Sequence, residues 1–431
     1  MPSRLTSITP VLLGVASAEI ALGLLTPLIP LMMVAAGARS GTIGLVASAY
    51  YVGFLCGTLS ADRIVESVGH SRAFVVFAAL AADSALMMGF FTSPLAWAVA
   101  RLVMGYQMAG LFLVAESWLN DKADRTTRGR IFGAYLVVSW GASAIGPLAL
   151  NVVAASALLF SVVGIAFATA LLPMALTHVA NPTLGRHRRF GLAALYRVSP
   201  LGLVCCLAAG LVNSAFYGLV PVYLRQVGHG PGTVAAFISA TLVVTLVVQY
   251  PVGHLADRIG RRPLMLGALG LGFGFAVLLG LAEHAHILVL TVAGCLYAGV
   301  TAPLYGLGAG QMNDHIDPAD RLAASGGLLF AWALGASAGP GTAGFVMARL
   351  GYGGLFVYLA GVIALLVAFT ILRSLLRAGV SPARQTGYVP MPAAPPSVAG
   401  FAPAAPARSS NPAAHTGGTD AQPAQDPGLA G

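Results

Sequence analysis

Four charged side chains fall inside long apolar runs: Glu19, Asp83, Arg101 and Glu116. A carboxyl in such a place can take up and return a proton as its surroundings dry and wet, and charged groups at membrane depth usually line a water-filled path or pair with each other. Glu19 lies near the middle of the first run, and two readings stand for it. It is either a proton-coupling carboxylate or a neutral Glu hydrogen-bonded inside a helix bundle. Arg101 follows Trp97 by four residues, about 6 Å along a helix, and is either a fixed intramembrane cation or one that snorkels to the interface. Glu116 stands near the end of its run, placed to pair with Arg72 or another Arg of the loop after the second run and so close a gate. The alternative is an exposed terminal carboxylate. No His, Cys, Ser or acidic grouping has the spacing of a metal site or a nucleophile with its base, so neither enzyme chemistry nor a cofactor is expected.

The runs that carry these groups identify the solvent. Of 431 residues, 57% are apolar and 9% charged, against roughly 25% charged in soluble domains. A soluble fold has too little interior for that surface; a bilayer accepts it. Spanning takes about 20 apolar residues, and breaks in polarity delimit twelve segments: 9–35, 41–61, 73–92, 95–118, 131–150, 153–176, 200–223, 233–252, 264–282, 287–311, 323–346 and 354–376. Ala16-Ser17-Ala18 looks like a signal-peptidase site, but the apolar run continues past it to Ala36, which makes an uncleaved helix the expected form. Cys56, Cys205, Cys206 and Cys295 all lie inside runs and read as small buried hydrophobes.

Basic residues set the orientation. With the N-terminus cytoplasmic, only Arg39, Arg225 and Arg349 of the 23 Lys and Arg fall outside, Arg101 is intramembrane, and the rest lie inside. Both termini are therefore expected in the cytoplasm. The basic residues are scattered, which argues against a nucleic-acid surface, and Lys122 has no Walker A setting, so ATP-driven pumping by this chain is not expected. The organisation expected is a six-helix unit over 1–177, a linker over 178–199, a second unit over 200–378, and a disordered Ala- and Pro-rich tail over 379–431.

The two units repeat. Pro30 matches Pro221 and Gly69 matches Gly260 at an offset of 191, while Asn120-Asp121 matches Asn313-Asp314 and Gly146-Pro147 matches Gly339-Pro340 at 193. Repeats related by an axis along the membrane normal put a solute site between them near the midplane.

Gly253-His-Leu-Ala-Asp257-Arg258-Ile-Gly260-Arg261-Arg262, between the eighth and ninth segments, resembles the loop signature G-x-x-x-D-R-x-G-R-R of the major facilitator superfamily. The equivalent stretch from Asp62 to Ser71 departs from it, with Asp62 for the Gly and Ser67 for the Arg. Gly57-Thr58, Gly69-x-x-Arg72, and Glu116-Ser117 followed after ten residues by Arg128-Gly129-Arg130 resemble the YcaD-like branch. Arg101-x3-Gly105-x3-Ala109 resembles a motif of many proton-coupled members. Gly326-x8-Gly335-x3-Gly339-Pro340 resembles the antiporter motif but lies in segment 11 rather than 5, and a close-packing glycine face explains it equally well.

The resemblance implies an all-α polytopic fold, twelve transmembrane helices in two pseudo-symmetric six-helix bundles. It implies a cytoplasmic gate of Gly253, Asp257, Arg258, Gly260, Arg261 and Arg262 with Glu116 and Arg72. Helices 1, 4, 7 and 10 would surround the cavity, so Gln107, Asn213, Tyr217, Tyr305 and Gln311 are its candidate lining. Glu19, Arg101 and Asp83 are the proton-coupling candidates, although the third helix is peripheral and a buried hydrogen bond suits Asp83 better. The function expected is secondary transport of a small organic solute by alternating access, coupled to protons, by a monomer in the bacterial inner membrane. The alternatives are an uncoupled facilitator and a non-transporting membrane sensor or scaffold.

Overall fold

The computed structural model describes residues 2–124, 126–153, 155–176, 190–318, 320–376 and 385. The tail expected over 379–431 and most of the linker lie outside that set. Among the described residues the regular structure is helical: α1 Pro2–Ala35, α2 Ser40–Val68, α3 His70–Phe90, α4 Pro94–Lys122, α5 Arg128–Ile145 with a 3-10 turn Gly146–Asn151, α6 Leu158–Ala175, α7 Leu192–Val198, α8 Pro200–Gln226, α9 Pro231–Ile259, α10 Arg261–Leu281, α11 Ile287–Thr301, α12 Leu304–Asn313, α13 Arg321–Leu350 and α14 Gly354–Leu376. Eleven stretches are long and apolar enough to cross a membrane, α11 and α12 forming one of them. The 30-residue α13 completes twelve. Leu281, Leu365, Leu372 and Leu375 are exposed, the apolar exterior that lipid tails require.

The repeat found in the sequence recurs in the backbone. Gly69 has φ 84°, ψ 161° and Gly260 has φ 89°, ψ 155°, so the equivalent turns α2–α3 and α9–α10 share a left-handed conformation that a side chain would strain. The Gly-Pro repeat diverges. At Gly146-Pro147 the α-helix gives way to the 3-10 turn, whereas α13 stays helical through Gly339-Pro340. Between α11 and α12 the chain breaks at Ala302-Pro303, where proline removes a donor and crowds the preceding turn. The expected segments 5 and 10 are therefore interrupted helices. The linker also contains the short helix α7, for which no segment was expected.

Small residues set how closely helices approach. A Cβ added to Gly53 would lie 1.8 Å from the Leu102 carbonyl oxygen, and one added to Gly105 would lie 1.8 Å from that of Tyr50. The glycine of Arg101-x3-Gly105-x3-Ala109 is thus the backbone contact between α4 and α2. Even Gly105→Ala has no room; at the usual overpacking cost of about 1–3 kcal/mol, purified Gly105→Ala protein is expected to melt several degrees below wild type.

The bundles meet along two seams at the end that carries the Gly37, Gly228 and Gly351 turns. In one, Gly44 of α2 faces Pro340 of α13, Gly344 approaches the Ser40 backbone, and the Gly341 N–H donates to Ser48 Oγ at 2.9 Å. In the other, Gly232 at the start of α9 abuts the Asn151 side chain. The glycines of α13 also pack on α8, Gly335 against Leu207 and Gly339 against Leu211. This is the close-packing face that was one reading of the motif.

Candidate functional site

Two glycines bring α1 and α5 together. An added Cβ at Gly23 would lie 2.3 Å from the Ser143 carbonyl oxygen, and one at Gly146 would lie 2.3 Å from that of Ile20. With the backbones in contact, Ser139 and Ser143, one helical turn apart, both reach Glu19. Ser139 Oγ donates to Glu19 Oε1 at 2.9 Å, and Ser143 Oγ donates to Oε2. Glu19 is 1% exposed. A carboxyl held this way keeps hydrogen bonds whether neutral or ionised.

Arg101 is held differently. Its guanidinium carbon lies 4.3 Å from the centroid of the Tyr50 ring, the side chain is 6% exposed, and Nε and Nη1 have no hydrogen-bond partner among the described residues. A cation–π contact is worth about 0.5–2 kcal/mol, while the effective cost of desolvating an ion is several kcal/mol. The ring alone does not offset burial of this cation. No ion pair joins Arg101 to Glu19; the two charges enter one cavity separately.

That cavity, of about 150 Å³, is bounded by both bundles. Glu19, Thr26 and Pro30 come from α1, Tyr50, Tyr51 and Phe54 from α2, Arg101 from α4, and Trp140 and Ser143 from α5. The second bundle supplies Asn213 and Tyr217 from α8, Gln249 from α9, Tyr305 from α12 and Trp332 from α13. The ring of Trp332 stands 5.9 Å from Tyr51 and 6.1 Å from Phe54, edge-on to each, so aromatic contact crosses the bundle interface at the cavity wall. Tyr217 shares a hydrogen bond of 3.3 Å with Thr245. Among the described residues no group of His, Cys, Asp and Glu could hold a metal ion.

The family model of the Major Facilitator Superfamily matches residues 11–245 and, overlapping them, residues 203–411. The chain belongs to the major facilitator superfamily. It is 28% identical over 393 residues, 88% of this chain and 96% of the other, to the MFS-type transporter YcaD of Escherichia coli. Its fold resembles a single-residue variant of the nucleoside transporter NupG, with TM-score 0.73 at 12% identity over 85% of this chain and 99% of that one. It also resembles the human organic anion transporter MFSD10, with TM-score 0.62 at 18% identity over 86% and 100%. The twelve-helix, two-bundle architecture and the YcaD-like branch are those the sequence motifs implied.

One residue of the superfamily signature, Arg261, acts here inside one bundle. Arg261 is fully buried, forms an ion pair with Asp314, and donates from Nη1 to the Gly310 carbonyl at 2.8 Å. It thereby ties the start of α10 to the end of α12. Gly310 leaves room for it, since an added Cβ there would sit 2.5 Å from Arg261 Nε. The repeat puts His70 at the place of Arg261, and His70 Nε2 lies 2.9 Å from Ser117 Oγ, within electrostatic reach of Asp121. The N-terminal counterpart is thus a neutral-or-charged imidazole where the C-terminal bundle keeps a permanent cation. Arg261→Met is expected to cost about 3–5 kcal/mol by stranding a buried Asp314, and Arg261→Met with Asp314→Leu should recover most of it. Thermal melts of the purified single and double variants check this. Gly253 and Gly260 are buried, Arg262 is half-buried, and Asp257 and Arg258 are exposed at the same end.

Several expectations need correction. Asp83 is neither in the cavity nor in a buried hydrogen bond; it is exposed on α3 among exposed Leu80, Leu86 and Met87, because α3 lies on the periphery. Glu116 is buried and Arg72 exposed, and they form no ion pair; Glu116 instead lies within electrostatic reach of Tyr135 and Tyr305. Gln107 and Gln311 are buried outside the cavity lining, whereas Asn213, Tyr217 and Tyr305 are part of it. Cys205 and Cys206 are buried against α12, but Cys56 is exposed and Cys295 half-buried. Trp97 is buried, its indole N–H donating to the Met88 carbonyl at 2.9 Å, so it does not stand free at the surface four residues before Arg101.

The sequence reading missed Tyr50, Tyr51, Phe54, Ser139, Ser143, Trp140, Gln249 and Trp332. One signal was available for two of them: Ser139 and Ser143 are four apart on a helix carrying Gly146-Pro147, hence on one face.

Proposed function

We propose that this transporter moves a small organic solute by alternating access, coupled to protons, with Glu19 as the group that binds and releases the proton. The supporting observation is a buried carboxyl, satisfied by Ser139 and Ser143, in the wall of a cavity that both bundles bound. A group that remains hydrogen-bonded in either protonation state can exchange a proton without disrupting its helix pair. Only a rocking of one bundle against the other would open such a cavity to each side in turn.

In this reading the termini are cytoplasmic, following the distribution of Arg, and the α2–α13 and α5–α9 seams close the external side. The cavity is complete within one chain, which favours a monomeric unit. The test uses proteoliposomes of the purified chain and a panel of labelled organic acids, alcohols and amines. Accumulation of at least one solute under an imposed pH gradient, abolished by a protonophore, is the expected result. Equilibration without accumulation would mean an uncoupled facilitator, and no flux of any solute would overturn the transport reading.

A further inference from the structure

We propose that the solute is a small organic anion bearing a planar ring, its acid group bound by Arg101 and its ring seated among the aromatic side chains of α2 and α13. This rests on the transport reading above and adds the chemistry of the cargo. Arg101 is the starting point. It is more than nine-tenths buried, lines the cavity, and no carboxylate among the described residues pairs with its charge. A guanidinium in a cavity wall brings a permanent positive charge and N–H donors, which suit the oxygens of a carboxylate, sulfonate or phosphonate.

The protein offers no substitute for that anion. Glu19 is the other charged residue of the lining, and it is 1% exposed, turned to Ser139 and Ser143. A cationic solute would meet the guanidinium without an exposed carboxylate to receive it. A neutral solute would leave Arg101 as it stands, buried and unmatched.

The remaining wall selects the other end of the molecule. Tyr51, Phe54 and Trp332 make one edge-on cluster across the bundle interface, with Trp140 also in the wall. Aromatic edges and faces at these separations accept a further ring. The volume of about 150 Å³ compares with that of an apolar cavity known to hold benzene, so the space admits one ring. Because the cluster includes residues of both bundles, a ring seated there would contact both at once, and its binding would bias their relative position.

The purified full-length chain in detergent gives the test. The probes are benzenesulfonate, which stays anionic at every working pH, and its neutral and cationic analogues benzyl alcohol and benzylammonium, with titration calorimetry and thermal melting as readouts. Benzenesulfonate should bind saturably at least tenfold more tightly than either analogue and raise the melting temperature. Arg101→Met should lose that preference, while melting at or above the ligand-free wild type because an unmatched buried cation is gone. Arg101→Lys should keep the preference for the anion at reduced affinity. A purely structural Arg101 would do the reverse, with Arg101→Met melting lower and discriminating as before.

Equal binding of the neutral or cationic probe, no binding of benzenesulfonate, or unchanged discrimination in Arg101→Met overturns the proposal. Should Arg101→Met not fold, the charge preference of wild type and Arg101→Lys decides. The transport reading fails by a different sign, the absence of flux for solutes of every charge. Proton-driven flux of neutral or cationic solutes alone would leave transport standing and remove this inference.

Discussion

Protein carrying Glu19→Gln equilibrates solute across a membrane but does not accumulate it. Gln has nearly the shape of a protonated Glu and retains a carbonyl oxygen as acceptor for Ser139 or Ser143. The α1–α5 contact rests on Gly23 and Gly146 rather than on the carboxyl, so the fold should persist. What is lost is the exchangeable proton. One pH unit is worth about 1.36 kcal/mol per proton, so a transporter coupled to one proton supports up to about tenfold accumulation under such a gradient. The variant should bring that ratio to about one, the level reached by wild type with a protonophore. Solute–solute exchange, which needs no net proton movement, should continue. Wild-type accumulation by the variant would remove Glu19 from the mechanism.

A disulfide between Ser48→Cys and Gly341→Cys stops transport, and reduction restores it. A Cβ placed on Gly341 lies 3.9 Å from Ser48 Cβ, close to the mean of about 3.8 Å for disulfides. The bond would pin α2 to α13 at the seam near the Gly37 turn, holding the bundles in the arrangement described above. The substitutions themselves exchange one hydrogen bond for a thiol, a change of about 0.5–1.5 kcal/mol, so the reduced protein should function. Replacing exposed Cys56 and half-buried Cys295 beforehand prevents competing bonds. Full flux in the oxidised, crosslinked protein would mean that this seam does not open during transport.

Much of the fold was legible in the sequence, because a membrane makes length and polarity nearly sufficient. Segment 12 was placed at 354–376 and α14 runs Gly354–Leu376. Errors fell where local backbone chemistry mattered more than hydropathy, as at Gly146-Pro147 and Ala302-Pro303, where apolar runs continue but α-helix does not.

The site was half legible. Glu19 and Arg101 announced themselves as charges in apolar runs, and both line the cavity. Asp83 gave the same signal yet faces outward, since a charge in a run says nothing about which face of the helix is inside. Tyr51, Phe54 and Trp332 gave no signal at all. Aromatic residues are ordinary in transmembrane helices, and only the crossing of α2 and α13, set by Gly44 and Gly344, brings these three together.

If the bundles rock about the shared cavity, the distance between them at the seam end must change during transport. Spin labels at Ala36→Cys, in the turn after α1, and Ala348→Cys, at the end of α13, report it by pulsed electron resonance in a background lacking Cys56 and Cys295. Two resolved distances are expected, a shorter one with the α2–α13 seam closed and a longer one with it open, whose populations shift between acid and mildly alkaline pH in wild type and cease to shift in Glu19→Gln. A single distance that neither pH nor benzenesulfonate changes would contradict the rocking of the bundles.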